Sequence, residues 1–281
     1  MDNIKIIGHR GNQGFATENS FEAIMSCSNT PEIDGTEFDI RPTKDDEIVI
    51  MHNATVNGTT NSKGRIQDLT LEELKKLRFT TQFVDQLLQK GFNILNSDRY
   101  FFEQYCRLGK RSSNIALFEN VMGEYSPKKH MLIELKGKVD EYPINKQQRF
   151  EENIIEILKE YDYQNRDLTL ESYNLDALFR IKEKLPDLRV IALINKYGSL
   201  KPLDMGFDGV SLEHVLINEK VIQKVIDNKM MLYSWDDKKP ISHYNKINNI
   251  INNFEKEIVS GELPLYVIND FPEKARQYIK K

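Results

Sequence analysis

Long apolar runs and basic clusters are both missing from this chain of 281 residues. No stretch approaches the roughly 20 consecutive apolar residues that span a bilayer. The N-terminal run Ile4–Ile7 is too short for a secretory signal and lacks its basic leader. The formal net charge is −4, which gives no basic surface for nucleic acid. We therefore expect a soluble, cytoplasmic protein with no stable membrane anchor and no nucleic-acid partner.

Cysteine is equally scarce, with two residues, Cys27 and Cys106. Two cysteines in a chain of this length do not make a disulfide framework, so both are expected to be ordinary packed or partly exposed thiols. Internal repeats, low-complexity stretches and linkers rich in Gly, Ser or Pro are also missing. Residues 1–281 are therefore predicted to form one domain, and this length suits a single barrel of roughly 250 residues.

Short apolar runs alternate with helical patterns along the chain, which predicts βα units and a parallel sheet. Eight of these runs are predicted to be strands: Ile4–Ile7, Gly35–Ile40, Met131–Leu135, Leu168–Leu170, Arg189–Ile194, Gly209–Leu212, Met230–Trp235 and Leu265–Ile268. Eight strands with helices between them predict an α/β fold, a closed (β/α)8 TIM barrel. An open doubly wound sheet is the competing architecture.

Helical spacing and capping signals occupy the segments between these strands. Thr70 and Glu73 form a capping box. The predicted helices are Ser20–Cys27, Thr70–Leu77, Lys146–Tyr161, Leu175–Leu185, Val221–Ile226, Ile241–Ile258 and Pro272–Lys280. Residues 79–115 are irregular and rich in Phe, Tyr, Gln and Asn. We interpret them as an insertion within the single domain.

Carboxylates end two neighbouring barrel strands, where barrel enzymes place their catalytic groups. Glu37 and Asp39 are two residues apart on one strand, so their side chains point to the same face. Glu134 ends the next barrel strand. Charges that follow buried strands are costly unless they are paired or bound to a metal, and oxygen ligands suit Mg²⁺ or Ca²⁺. A single Glu-x-Asp pattern usually marks a solvated face, but convergence on one barrel mouth favours a site for one divalent cation.

Two histidines follow apolar segments at the same end of the predicted barrel. His9 follows the first strand, and His52 follows the extended run Glu47–Met51. An unperturbed pKa near 6.5 suits histidine to general acid and base catalysis. His130 precedes its strand and is expected at the opposite face of the barrel, away from any catalysis.

Three further residues are candidates for contact with an anionic substrate. Arg10 could bind a phosphate group through two N–H groups of its planar guanidinium, and Lys136 could bind it through its ammonium charge. Arg10 could instead form an ion pair with Glu18 or Glu37. Trp235, at the end of the seventh predicted strand, is a candidate apolar wall near the substrate, with plain core packing as the alternative.

These residues lie in segments that resemble the glycerophosphodiester phosphodiesterase family. The specific likenesses are Ile7–Gly11 with its His-Arg-Gly, Thr17–Ser20, Gly35–Asp45 with its Glu-x-Asp and Thr-Lys-Asp, Ile48–His52, Thr59–Thr70 and the Glu-x-Lys of Leu132–Lys136. Weaker likenesses follow in Glu171–Tyr173, Ser234–Trp235 and Asn269–Pro272. The resemblance covers nearly the whole chain in the right order.

The resemblance implies metal-dependent hydrolysis of glycerophosphodiesters to an alcohol and glycerol 3-phosphate. It implies that His9 and His52 are the general acid and base. The cation would be held by Glu37, Asp39 and Glu134, and the substrate would contact Arg10, Lys136 and Trp235. Either water or the 2-hydroxyl of the substrate could be the attacking group.

The chain departs from the family pattern after the second histidine, where Asn53 replaces the usual Asp. An Asp there would support His52 electrostatically, so its loss bears on the activity of that histidine. Two other functions stay open at this point. One is a related barrel phospholipase of the sphingomyelinase D or phosphoinositide-cleaving kind, and the other is a non-catalytic barrel that binds phosphodiesters. The sequence does not indicate an oligomeric state.

Overall fold

The computed structural model describes residues 3–79, 114–137, 141–236 and 240–279. Its strands are β1 (Ile4–Gly8), β2 (Gly35–Pro42), β3 (Ile48–Ile50), β4 (Ala116–Leu117), β5 (His130–Leu135), β6 (Leu168–Ser172), β7 (Arg189–Ile194), β8 (Gly209–Glu213), β9 (Met231–Trp235) and β10 (Leu265–Asn269). Its α-helices are α1 (Phe21–Asn29), α2 (Leu71–Leu74), α3 (Phe118–Glu124), α4 (Ile144–Glu160), α5 (Leu175–Lys184), α6 (Glu219–Asp227), α7 (Pro240–Asn253), α8 (Glu255–Ser260) and α9 (Pro272–Tyr278).

Eight of the strands close into a parallel barrel. They run in the order β1-β10-β9-β8-β7-β6-β5-β2, and β1 also pairs with β2. At the closing seam, Ile4 is opposite Leu265 in β10 and Ile7 is opposite Gly35 in β2. The closed ring confirms the (β/α)8 TIM barrel and excludes the open doubly wound sheet.

A short antiparallel extension lies beside β2. β3 pairs with β2 so that Ile50 is opposite Ile40, and β4 pairs with β3. The predicted extended run at Glu47–Met51 thus forms β3, whereas the two-residue β4 is too short to show a periodic pattern. The backbone N–H of Met51 donates to Asp39 O at 2.9 Å, which brings the end of this run to β2.

The helix predictions are confirmed in position, with two differences in length. The capping box between Thr70 and Glu73 is present, but α2 ends at Leu74 and does not reach Leu77. The predicted helix Ile241–Ile258 is two helices, α7 and α8, because Phe254 between them has non-helical backbone angles. The predicted insertion at 79–115 lies almost wholly outside the described residues.

Two apolar cores lie on the two faces of the barrel wall. The outer core fills the space between strands and helices and includes the buried thiol of Cys27; Cys106 lies outside the described residues. The inner core fills the barrel interior with Ile7, Leu132, Ile191, Leu193, Tyr233, Trp235 and Ile268. Alternate residues of each strand therefore face the two cores, as the period of two requires. Among the described residues, no helix is long and apolar enough to cross a membrane.

We call the amino-terminal end of the barrel interior the barrel floor and the carboxyl-terminal end the barrel mouth. At the floor, the Tyr233 hydroxyl lies 3.0 Å from His130 Nε2, and His130 Nδ1 lies 3.0 Å from Asp167. Asp167 also accepts from the guanidinium of Arg189, and Tyr266 stacks on Tyr233 with ring centroids 4.2 Å apart. His130 is thus at the end of the barrel opposite to the predicted site.

Candidate active site

The turn after β1 carries Arg10 and Gly11 in left-handed backbone conformations, with φ of 55° and 88°. Such a conformation costs a non-glycine residue about 1–2 kcal/mol. At position 11, a side chain is also excluded, because a Cβ would lie 2.7 Å from Ala23. The turn brings the backbone N–H of Arg10 to 2.8 Å from Glu37 Oε2, so the strained segment is tied directly to β2.

Three carboxylates meet inside the barrel mouth. One oxygen from each of Glu37, Asp39 and Glu134 lies within 4.8 Å of the others, and all three residues are buried. Burial raises the pKa of Glu37, and the nearby charge of Asp39 raises this pKa further. Burial also raises the pKa of Glu134. Three buried oxygen ligands that repel one another are a donor set that fits a hard divalent cation.

Two cationic side chains partly neutralise this cluster. Lys136 Nζ lies 2.9 Å from Asp39 Oδ1 and 2.7 Å from Glu134 Oε2. Arg10 Nη1 lies 3.2 Å from Glu18, and Arg10 Nε lies 3.7 Å from Asp39 Oδ2. Burial alone would raise the pKa of Asp39, but these cations hold it well below its usual range. The ion pair between Arg10 and Glu18 is the arrangement that the sequence analysis left as an alternative to phosphate contact.

Asn19 is a site residue that the sequence analysis missed. Its side-chain N–H donates to Asp39 Oδ2 at 2.6 Å, and its carbonyl oxygen accepts from the Asp39 backbone N–H at 3.2 Å. Like Arg10, Asn19 has a positive φ, here 57°. It lies in the Thr-Glu-Asn-Ser segment that carried the family resemblance, and that segment was the available signal.

His9 and a carboxylate from the last strand end face each other across the closing seam. His9 Nδ1 lies 2.6 Å from Asp270 Oδ1, and His9 Nε2 lies 4.0 Å from Glu37 Oε2. Asp270 lies in Asn269–Pro272, the last segment that resembles the family, but it was not predicted to be a site residue. Its place after β10 obeys the same strand-end rule that identified the other carboxylates, so the signal was present.

His52 lies near Asp39, and its ring has a neutral hydrogen-bond partner. Its Nδ1 is 3.1 Å from the amide oxygen of Asn53. The pKa of His52 is lowered to about 3, mainly by burial. The charge of Asp39 raises this pKa, whereas the charges of Arg10 and Lys136 lower it. The structure thus brings both predicted histidines to the barrel mouth, with unlike partners.

Two more polar side chains line the barrel interior near the cluster. Trp235 is 9% exposed, and its Nε1 has no hydrogen-bond partner among the described residues. Glu171 on β6 is 2% exposed and was not predicted as a site residue, although it too stands near a strand end. Burial, together with the nearby Glu134, raises the pKa of Glu171 to about 8. Glu171 adds a fourth carboxyl group to the interior.

The arrangement can perform proton transfer beside a cation site. Two histidines lie beside a buried carboxylate cluster, His9 near Glu37 and His52 near Asp39. The cluster is at the carboxyl-terminal face of a closed barrel, which is where such folds place their chemistry. Fold and site together define a barrel of the enzyme type, with carboxylates, histidines and two cationic side chains gathered at its mouth.

Comparison with known sequences identifies the family. The sequence model of the glycerophosphoryl diester phosphodiesterase family matches residues 9–254. The chain belongs to this family of phosphoric diester hydrolases. It is 27% identical over 234 residues to a glycerophosphodiester phosphodiesterase of Caldanaerobacter subterraneus, covering 82% of this chain and 84% of that protein. It is 42% identical to human glycerophosphodiester phosphodiesterase 1 over 76 residues, which are 27% of this chain and 23% of that protein.

Solved structures have the same fold. An Oleispira antarctica phosphodiesterase in complex with the product sn-glycerol-3-phosphate aligns with a TM-score of 0.70 at 18% identity, covering 99% of this chain and 97% of that one. A glycerophosphodiester phosphodiesterase from Thermotoga maritima aligns with a TM-score of 0.62 at 18% identity, covering 98% and 97%. At these identities the likeness establishes the barrel fold.

Proposed function

We propose that this chain hydrolyses glycerophosphodiesters to an alcohol and glycerol 3-phosphate with the help of one divalent cation. The observation that carries the proposal is the pair of histidines, His9 and His52, beside a buried carboxylate cluster in a member of this family. The product bound to the Oleispira antarctica enzyme is sn-glycerol-3-phosphate, which agrees with this reaction.

Glu37, Asp39 and Glu134 would hold the cation. Their oxygens lie within 4.8 Å of one another, and burial together with the neighbouring carboxylates raises the pKa of Glu37 and Glu134. Carboxylate oxygens suit Mg²⁺ and Ca²⁺ alike, so the proposal covers both ions. When bound, such a cation polarises phosphoryl oxygens and lowers the pKa of a nearby hydroxyl.

The two histidines would carry the two proton transfers of the reaction. An attacking hydroxyl gives up its proton to one imidazole as its oxygen bonds to phosphorus. Attack by water gives glycerol 3-phosphate directly, whereas attack by the 2-hydroxyl of the glycerol gives a cyclic phosphate that a water molecule must then open to glycerol 3-phosphate. The bond from phosphorus to the alcohol oxygen breaks, and the other imidazole donates a proton to that oxygen. General acid and base catalysis of this kind contributes about 10²–10⁴-fold each.

Arg10 and Lys136 would orient the anionic substrate, and Trp235 would provide an apolar wall. Both side chains lie beside the carboxylate cluster, with Arg10 Nε 3.7 Å and Lys136 Nζ 2.9 Å from Asp39, which supports a role in binding a phosphate there. Trp235 lies in the barrel interior with an indole N–H that has no partner among the described residues. A donor in that position can serve a polar group of the substrate.

The decisive experiment is hydrolysis of glycerophosphocholine by the purified chain, with released glycerol 3-phosphate as the readout. Activity should vanish after exhaustive chelation with EDTA and return with Mg²⁺ or Ca²⁺. Full activity in metal-free enzyme would contradict the cation role. Absence of glycerol 3-phosphate from every diester tested, with cation present, would favour the non-catalytic phosphodiester-binding barrel.

The headgroup should be selected weakly. Phosphate and glycerol make the fixed contacts in this proposal, through the cation, Arg10 and Lys136. Across choline, ethanolamine, serine and inositol diesters, we expect kcat/KM to vary by less than ~100-fold, which is about 2.7 kcal/mol of discrimination. A larger preference for one headgroup would show that residues at the rim of the site bind that alcohol specifically.

One observation favours a phospholipase as the second candidate. Loops that follow β1, β6 and β7, at the mouth, expose large apolar side chains: Phe15 at 40%, Tyr173 at 41% and Tyr197 at 87%. Such a rim could meet acyl chains. Diacyl phospholipids in vesicles, assayed beside the soluble diesters, separate the two functions, because a comparable rate on the diacyl lipids would replace the first proposal with this one. The cytoplasmic location stays a prediction from the sequence.

A further inference from the structure

One ring nitrogen of His9 faces a carboxylate that is not part of the cation cluster. His9 Nδ1 lies 2.6 Å from Asp270 Oδ1, whereas Nε2 is the ring atom that faces Glu37, at 4.0 Å. An ionised carboxylate can only accept a hydrogen bond, so a neutral His9 must carry its proton on Nδ1. The lone pair of Nε2 is then directed at the reacting centre.

Gln13 fixes the carboxylate in turn. Its Nε2 donates to Asp270 Oδ1 at 2.9 Å and to the His9 backbone oxygen at 3.0 Å. Both partners are acceptors only, so the orientation of the amide is determined by its surroundings. Gln13 is 4% exposed, which holds it in place between the two residues. The chain of contacts Gln13–Asp270–His9 thus joins the first and last strand ends.

We propose that Asp270 and Gln13 are positioning residues that hold His9 in its Nδ1–H tautomer with Nε2 facing the phosphodiester. The kinetic part of this inference rests on the proposed function. A hydrogen bond to an ionised acceptor is roughly twice as strong as one between neutral groups. His52 has a neutral amide oxygen from Asn53 at 3.1 Å in the corresponding position, so its orientation is held less firmly.

Steady-state kinetics of matched variants test the role of Asp270. Asp270→Ala should lower kcat by about 10²-fold with KM within about 3-fold of wild type, because an unheld histidine loses the correct tautomer. Asp270→Asn should lose about 10-fold, since Gln13 still directs an oxygen of residue 270 towards His9 while its charge is gone. The control is Asp204→Asn, which removes an exposed carboxylate paired with Lys224 and should leave kcat unchanged.

Gln13→Leu should lower kcat by roughly 3–10-fold because it acts through Asp270. The double variant of Gln13→Leu with Asp270→Ala should be no slower than Asp270→Ala alone, since residues that act through one path are not additive. Additive losses, or a folded Asp270→Ala enzyme that keeps more than half of the wild-type kcat, would overturn the inference.

Nitrogen-15 NMR of histidine-labelled protein tests the tautomer without any turnover. The His9 signals, assigned by comparison with His9→Ala, should show a protonated Nδ1 in the wild type and in Asp270→Asn, and should lose this preference in Asp270→Ala. A wild-type His9 protonated at Nε2 would refute the role of Asp270. A protein that hydrolyses no glycerophosphodiester but shows the Nδ1–H signal would instead contradict the proposed function alone.

Discussion

The mouth and the floor of the barrel both contain charged and polar groups, but the two ends balance their charges differently. At the floor, the hydrogen bonds run from the Tyr233 hydroxyl through His130 and Asp167 to Arg189, so each member has a partner. At the mouth, the carboxylate cluster and the additional Glu171 share the two cations already described, and one Glu171 oxygen has no partner among the described residues.

The comparison separates stability from function. Polar networks stabilise a fold when every member is satisfied, as at the floor, where the buried Tyr233 and His130 are joined to a partly exposed ion pair. A surplus of buried carboxylates destabilises the folded chain, and a fold tolerates such a cost where binding or catalysis requires it. The difference in charge balance between the mouth and the floor agrees with the rule that barrel enzymes use the carboxyl-terminal face for chemistry and the opposite face for stability.

The strongest test of this contrast is Glu37→Gln at the mouth. The amide keeps an acceptor for the Arg10 backbone N–H but removes one charge from the cluster. We expect kcat to fall by ~10³-fold or more, while the free energy of unfolding of the chelated protein rises by about 1 kcal/mol. Turnover assays and urea unfolding in EDTA measure the two effects. Glu156→Gln, at an exposed position on α4, is the matched control and should change neither.

The next largest effects should come from the histidines of the mouth. His9→Ala and His52→Ala should each lower kcat by about 10²–10⁴-fold, because each removes a proton carrier. Thermal unfolding establishes that each variant is folded. A folded variant that retains more than half of the wild-type rate would remove that histidine from the mechanism and weaken the assignment of chemistry to this end.

At the floor, Tyr233→Phe should affect stability and leave catalysis alone. The change leaves the buried Nε2 of His130 without its hydroxyl partner, which costs about 1–3 kcal/mol. Urea unfolding should show this loss, with kcat and KM of the folded enzyme unchanged. Tyr197→Phe removes the same hydroxyl from a side chain that is 87% exposed and serves as the control. A fall in kcat for Tyr233→Phe would show that the two ends are coupled.

The pH dependence of stability should also differ between the two ends, with opposite signs. The pKa of Glu171 is raised to about 8 from 4.5, so between these values the folded chain holds a proton that the unfolded chain has lost. Stability of the chelated protein should therefore fall as pH rises through this window, by at most about 1.4 kcal/mol per pH unit. Glu171→Gln should flatten this slope. An unchanged slope would place the proton elsewhere.

The floor should respond in the other direction. Burial lowers the pKa of His130 below 6.5, although the hydrogen bond with Asp167 raises it. Its neutral form therefore stabilises the fold above pH 6.5, and this contribution is lost as pH falls through the lowered pKa. Unfolding curves measured from pH 8 to pH 4 should show that His130→Gln, although less stable, depends less on pH in the acidic range.

Sequence patterns were enough to predict the barrel and the end of it that holds the site. The signals used were strand periodicity, the residues at strand ends and the family motifs, and each of these can be read from a short stretch of sequence. They located the cluster and both histidines. They missed Asn19, Asp270 and Gln13 as site residues, because these act through hydrogen bonds across the closing seam or through a backbone turn. The sequence left Arg10 as either a phosphate ligand or a member of an ion pair, and only the three-dimensional distances showed its ion pair with Glu18.

The pairing of β1 with β10 has a consequence for the order in which the enzyme forms. His9 and Asp270 are 261 positions apart in sequence, yet they are hydrogen-bonded across the seam that closes the ring. Contacts between such distant residues form late, because the cost of closing the intervening loop must be met before they stabilise anything. During synthesis or refolding, the native helices and most of the parallel strand pairs can therefore form before the enzyme becomes catalytically active. Recovery of activity reports the closing of the ring, a later event than recovery of secondary structure.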